Sequence, residues 1–161
     1  MDNLKVKLYI TLDTLLEFQD GNYSVSENSC IKNKFFIESL SRIAKEFPKL
    51  LEIVFIIKND KNVENCKQFI KNNINNFTYE IELYKDNKDF LESQKIINKT
   101  KALIDIDDDL LYQWEKRTGK AIKYITESSH KLMWDCLYIN NNYDSSEIYY
   151  NKFINFLHLY H

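Results

Sequence analysis

The segment that most restricts what this chain can fold into is Ala102-Leu103-Ile104-Asp105-Ile106-Asp107-Asp108-Asp109, an apolar run that ends in acid and passes at once into an amphipathic stretch from Leu110 to Thr118. Such a run is a buried strand, and buried parallel strands deliver functional groups to the carboxyl edge of an open α/β sheet. Four carboxylates crowded at that edge repel one another. Solvent screening, the positive end of the following helix, or a hard cation such as Mg2+ would each relieve them. Capping alone accounts for Asp108 and Asp109. It does not account for Asp105, which sits inside an otherwise apolar strand.

The rest of the chain alternates in the same way. Lys5 to Leu12 is rich in β-formers and predicts the first strand, and Glu17 to Val25, with Asp20-Gly21-Asn22 at its middle, predicts a small hairpin. Lys32 to Phe47 places Phe35, Phe36, Leu40, Ile43, Ala44 and Phe47 on one helical face, and Pro48 closes it. Glu52 to Ile57 is a strand covered on both faces, Asn62 to Asn72 a helix, and Tyr79 to Tyr84 an alternating strand near the sheet edge. Lys88 to Asn98 is helical, Lys101 to Ile106 is the acid-tipped strand, Leu110 to Thr118 is helical, and Lys120 to Ile125 is a fifth strand. Gly119 suits a helix C-terminal position of positive φ. Five strands alternating with helices predict an α/β, three-layer Rossmann-like fold, a mainly parallel five-stranded sheet with helices on both faces. Ser128 to Leu137 is expected to form a short helix and Asn140 to Ser146 a loop. Ser145 to Tyr160 repeats apolar residues at Ile148, Tyr149, Phe153, Phe156, Leu157 and Tyr160, a stripe that packs on the sheet or serves as a homodimer face.

A chain of 161 residues, 44% apolar and 29% charged, suits a single domain over 1–161, with its core in 5–125 and a helical segment in 127–160. The net charge of −2, with lysines interleaved among acids, gives no basis for nucleic-acid binding. Cys30, Cys66 and Cys136 form no CxxC pair, which points to reduced thiols in a cytoplasmic setting. No targeting signal is apparent at Met1-Asp2-Asn3, and no apolar stretch reaches the roughly 20 residues a membrane span needs.

Several chemistries lack their residues. With only Gly21 and Gly119 there is neither a P-loop nor a dinucleotide fingerprint. Ser24, Ser26 and Ser29 have no nucleophile-elbow glycines, and His130, His158 and His161 have no ligand spacing. An EF-hand starting at Asp105 fails because Leu110 stands where glycine is needed and Lys116 where a bidentate Glu is needed. Asp105-Ile106-Asp107 also resembles the DxD of metal-dependent glycosyltransferases, but too little chain follows for an acceptor domain.

The order of elements resembles the capless core of the haloacid dehalogenase (HAD) superfamily, and locally its deoxyribonucleotidase-type members. Tyr9-Ile10-Thr11-Leu12-Asp13-Thr14-Leu15 is similar to the opening motif, an apolar strand followed by Asp-x-Asp. Leu103 to Lys116 is similar to the acidic fourth motif and its helix. The resemblance covers roughly Lys5 to Ile125. It implies a phosphohydrolase in which a first Asp attacks phosphorus, a second serves as acid and base, and Mg2+ offsets the charge of the transferred group.

Carried onto this sequence, the resemblance gives Thr11 the nucleophile position and Asp13 the acid/base position, or, in a shifted register, Asp13 the nucleophile position and Leu15 the other. Neither register restores both acids. Asn59 stands near the phosphate-binding position of the second motif, Lys95 and Lys99 are the candidates for the third-motif lysine, and Mg2+ would draw on Asp13, Asp105, Asp107 and Asp109. Two functions follow. One is a weak Mg2+-dependent phosphohydrolase acting on a small phosphate ester or nucleotide. The other is a catalytically inactive HAD-type binding or regulatory module acting through protein contacts.

Overall fold

The computed structural model describes residues 5–15, 34–58, 63–125, 136–140 and 145–159. The expected hairpin of Glu17 to Val25 and the expected helix from Ser128 lie outside the described residues, apart from Cys136 and Leu137.

Six strands form one parallel sheet: β1 (Val6–Thr11), β2 (Leu51–Lys58), β3 (Glu80–Tyr84), β4 (Lys101–Asp105), β5 (Lys120–Ile125) and β6 (Leu137–Asn140), in the spatial order β3-β2-β1-β4-β5-β6. Chain direction reverses its progress across the sheet at β1 and β4, which creates a switch point at their carboxyl ends. The helices are α1 (Lys34–Glu46), α2 (Val63–Asn73), α3 (Asn87–Ser93), α4 (Asp108–Lys116) and α5 (Ser146–Leu157), and a 3-10 turn over Leu12–Thr14 follows β1.

Strand periodicity divides the core in two. Leu8 and Ile10 of β1, Ile53, Phe55 and Ile57 of β2, Ala102 and Ile104 of β4, and Ile122 and Tyr124 of β5 face α1, α2 and α5. Tyr9, Val54, Ile56, Leu103 and Ala121 face α3 and α4, where Phe90 stacks on Trp114 with ring centroids 5.4 Å apart. The three-layer prediction is met, with one strand more than expected. That strand, Leu137–Asn140, is only four residues long and falls between an expected helix and an expected loop. It is a strand because β5 pairs with it through Ile122↔Leu137 to Ile125↔Asn140, a tertiary influence that a four-residue periodicity does not reveal.

Two local expectations are refined. α5 buries Tyr149, Phe153 and Leu157 of the expected stripe against the sheet and Phe36 of α1, while Ile148 remains exposed and Tyr160 lies outside the described residues. The left-handed residue after α4 is Thr118, with φ 70°, and not Gly119. Thr118 N–H donates to Glu115 O and Gly119 N–H to Trp114 O, the paired bonds of a Schellman end. Gly119 is needed for close approach instead: a Cβ there would lie 2.3 Å from Trp114 Nε1. Among the described residues no helix is long and apolar enough to cross a membrane.

Candidate active site

Period-two alternation brings four polar side chains, a hydroxyl, a carboxylate and two ammonium groups, to one face of the sheet at its carboxyl edge. Thr11 ends β1, Lys58 ends β2, Asp105 ends β4, and Lys123 lies beside Asp105 in the β4–β5 register. Each follows, two residues on, a side chain that packs against α3 and α4: Tyr9, Ile56, Leu103 and Ala121. The apolar strands thus build the core with one set of positions and aim polar groups out of the same face at its last turn.

Asp105 is the centre of the network and is 1% exposed. Its Oδ1 accepts the Thr11 hydroxyl at 2.8 Å and the Ile106 N–H at 2.7 Å, and its Oδ2 accepts the Lys58 ammonium at 3.0 Å. A carboxylate buried this deeply is tolerable because it is paired and hydrogen-bonded on both oxygens. Lys58 also donates to Asn87 Oδ1 at 2.6 Å, and Asn87 Nδ2 donates to Asp107 Oδ2 at 2.9 Å. Asp107 Oδ1 accepts the Leu110 N–H at 3.0 Å, which makes Asp107 the N-cap of α4. Lys123, 2% exposed, donates to Asp108 in the first turn of α4. The result is a network of alternating charges and amides running from β1 and β2 through β4 to the starts of α3 and α4, with the Lys123–Asp108 pair beside it on β5.

Thr11 takes the end of β1, the nucleophile position of the resemblance, and is fully buried. The sequence shows no base beside it, whereas the fold supplies the Asp105 carboxylate. Thr11 O in turn accepts the Thr14 hydroxyl at 2.7 Å, which fixes the 3-10 turn that carries Asp13. The backbone of Asp13 lies in that turn, immediately beyond β1; its side chain is outside the described residues, as is Asn59.

Lys95 and Lys99 are not brought to this edge. Gln94, which ends α3, accepts a bond from Lys101 Nζ at 3.1 Å, and Thr100 O accepts Lys7 N–H, so residues 94–100 lie at the amino edge of the sheet. Four strand steps of about 3.3 Å, roughly 13 Å, separate Lys101 from Asp105. The lysine that meets the acid is Lys58. The sequence contains a signal for it, an ammonium closing a run of apolar residues, and a similar signal for Lys123 inside KAIKYI. Asn87 carries no such signal, because its role depends on where α3 begins.

Of the expected Mg2+ ligands Asp13, Asp105, Asp107 and Asp109, the side chain of Asp13 lies outside the described residues. Among the described residues no three acidic, histidine or cysteine side chains are grouped as a metal ion requires. Asp105 is engaged by Lys58, Asp107 by Asn87 and the α4 backbone, and Asp108 by Lys123, while Asp109 is exposed in the first turn of α4. A divalent cation within about 4 Å of the Lys58 ammonium would meet roughly 8 kcal/mol of repulsion at an effective dielectric near 20. Among the described residues the donors therefore do not fit Mg2+ while Lys58 is in place.

A cavity of about 470 Å³ lies at the opposite, amino edge, between α1, the start of β2 and the start of β3, lined by Leu51, Ile53, Phe77 and Tyr79. Its charged neighbours Lys5, Lys45 and Glu80 are not buried, so it offers no buried titratable group among them. The chemistry belongs to the carboxyl edge.

The sheet order and the parallel crossovers define a three-layer, Rossmann-like α/β fold. Among solved structures the chain is similar to the D,D-heptose 1,7-bisphosphate phosphatase from Burkholderia thailandensis, with a TM-score of 0.65 over 93% of this chain and 99% of that one. Identity is 9%, so the likeness is one of fold, and it does not extend to a nucleotidase subtype. No family model matches the chain, and no curated protein does.

Proposed function

We propose that this protein is a phosphohydrolase-like HAD-fold protein that binds a small phosphate ester at the carboxyl edge of its sheet and does not hydrolyse it at enzymatic rates. The observation that carries this reading is the state of Thr11. The position at the end of β1 holds a neutral hydroxyl, fully buried, whose proton is directed at Asp105. A phosphoryl-aspartate cannot form there. Thr11 is also a poor nucleophile, because the carboxylate that would have to take its proton is already engaged by the Lys58 ammonium and the Ile106 N–H.

The fold supports a phosphate ester as ligand, since the structural neighbour is a phosphatase of a sugar bisphosphate. Lys58 and Lys123 supply cations at the edge where open α/β sheets bind ligands. Asp13 favours a second reading of slow hydrolysis, since its backbone lies in the turn immediately beyond the end of β1. The test is thermal melting with added sugar phosphate, alongside turnover of an aryl phosphate in Mg2+. The expected result is a ligand-dependent rise in Tm with no turnover above background. Turnover lost in Asp13→Asn would establish the second reading, and absence of any rise would remove phosphate esters as ligands.

A further inference from the structure

We propose that Lys58, assisted by Lys123, is a built-in substitute for the divalent cation, so that this site handles an anionic ligand without metal. The inference deepens the phosphate-ester reading and rests on it for the identity of the ligand, but its central claim concerns the charge balance of the edge. Lys58 is nine-tenths buried, with its ammonium 3.0 Å from Asp105 Oδ2 and 2.6 Å from Asn87 Oδ1. It joins the acid of β4 to a neutral oxygen on α3, and Asn87 passes the link on to Asp107. Bridging a buried carboxylate and an amide oxygen is what a hard cation does with oxygen donors.

Lys123 sets a second ammonium against a second acid one strand further on. It is buried in β5, lies beside Asp105 in the register, and pairs with Asp108. The two ammonium groups bring two positive charges to the three carboxylates Asp105, Asp107 and Asp108, the charge a single Mg2+ would bring. Unlike Mg2+, they are covalently part of the chain and cannot be removed by a chelator. The apolar strands fix both stems, so the charges are positioned before any ligand arrives.

The experiment is a set of thermal melts at matched ionic strength, with inorganic phosphate as the ligand probe, in EDTA and in millimolar Mg2+. For the wild type, phosphate raises Tm equally in both, and Mg2+ alone has no effect. In Lys58→Met, which keeps the stem and removes the charge, Asp105 is freed for metal. Mg2+ then raises Tm by about 3 °C or more, as a tenfold excess over Kd does for a domain of this size. The rise disappears in the double variant Lys58→Met with Asp105→Asn. If Lys58→Met is unfolded in EDTA, refolding on addition of Mg2+ supports the substitution and failure to refold overturns it. A wild-type Mg2+ response abolished by Asp105→Asn would overturn the proposal, as would a folded Lys58→Met that ignores Mg2+. If phosphate shifts nothing in any variant, the ligand reading fails while the Mg2+ arms still decide the role of Lys58.

Discussion

Thr11 and Asp105 form the pair on which the site turns, and each makes a stability prediction. Thr11→Val keeps the shape and removes the hydroxyl, leaving Asp105 Oδ1 with the Ile106 N–H as its partner. The expected cost is about 1–3 kcal/mol in urea unfolding, with the slope unchanged. Asp105→Asn removes the charge that compensates Lys58 in a buried setting, and about 3 kcal/mol is expected to be lost by the same measurement. If Thr11→Val were neutral, the hydroxyl would not be holding the carboxylate. At this scale the sequence is partly informative. Asp105 stands out as a charge in an apolar strand, and it is the hub. Thr11 carries a site assignment only through the family resemblance, and so do Lys95 and Lys99, because the resemblance does not say at which edge of the sheet a loop of this chain ends. Lys58 is easily overlooked because a lysine closing a strand is ordinarily a solvated terminus; its partner lies 47 residues away.

At the scale of elements, the junction of α4 and β5 is held by packing around Trp114. Gly119 lies so close to that indole that Gly119→Ala is expected to cost about 3 kcal/mol, read as a lower midpoint in urea unfolding. Sequence places the glycine at this helix end for its conformational freedom; the structure assigns that freedom to Thr118 and the close approach to Gly119. The edge strand β3 gives a pH prediction. Burial, then the hydrogen bond to Glu82, pushes the Tyr84 phenol well above its usual 10.0. The unfolded chain releases that proton first as pH rises, so the stability Tyr84 contributes is complete below pH 10.0 and declines above it. Tyr84→Phe should show a shallower alkaline loss of stability than the wild type in melts across that range. An identical loss would place the alkaline sensitivity elsewhere. Strands and helices with strong periodicity, such as Lys120–Ile125, are legible in the sequence to within a residue or two. β6 is not, because its four residues become a strand only by pairing with β5.

For the whole molecule, the sheet order β3-β2-β1-β4-β5-β6 gathers side chains from four strands and two helix starts at one edge. That gathering follows from alternation alone, since strand, helix, strand units leave few topologies open. The chemistry at the edge does not, because it depends on which of several acids and lysines meet, and that is set by register and strand length. The network of Thr11, Lys58, Asn87, Asp105 and Asp107, with the Lys123–Asp108 pair beside it, has no aspartyl nucleophile at the end of β1 and places ammonium groups against its acids. The most direct test is phosphorus NMR of a sugar phosphate mixed with an equimolar amount of protein in Mg2+, which follows binding and hydrolysis in one sample. The account predicts that the ester resonance broadens or shifts on addition of protein and that no inorganic phosphate accumulates. Steady release of inorganic phosphate, or an ester resonance that the protein leaves untouched, would contradict it.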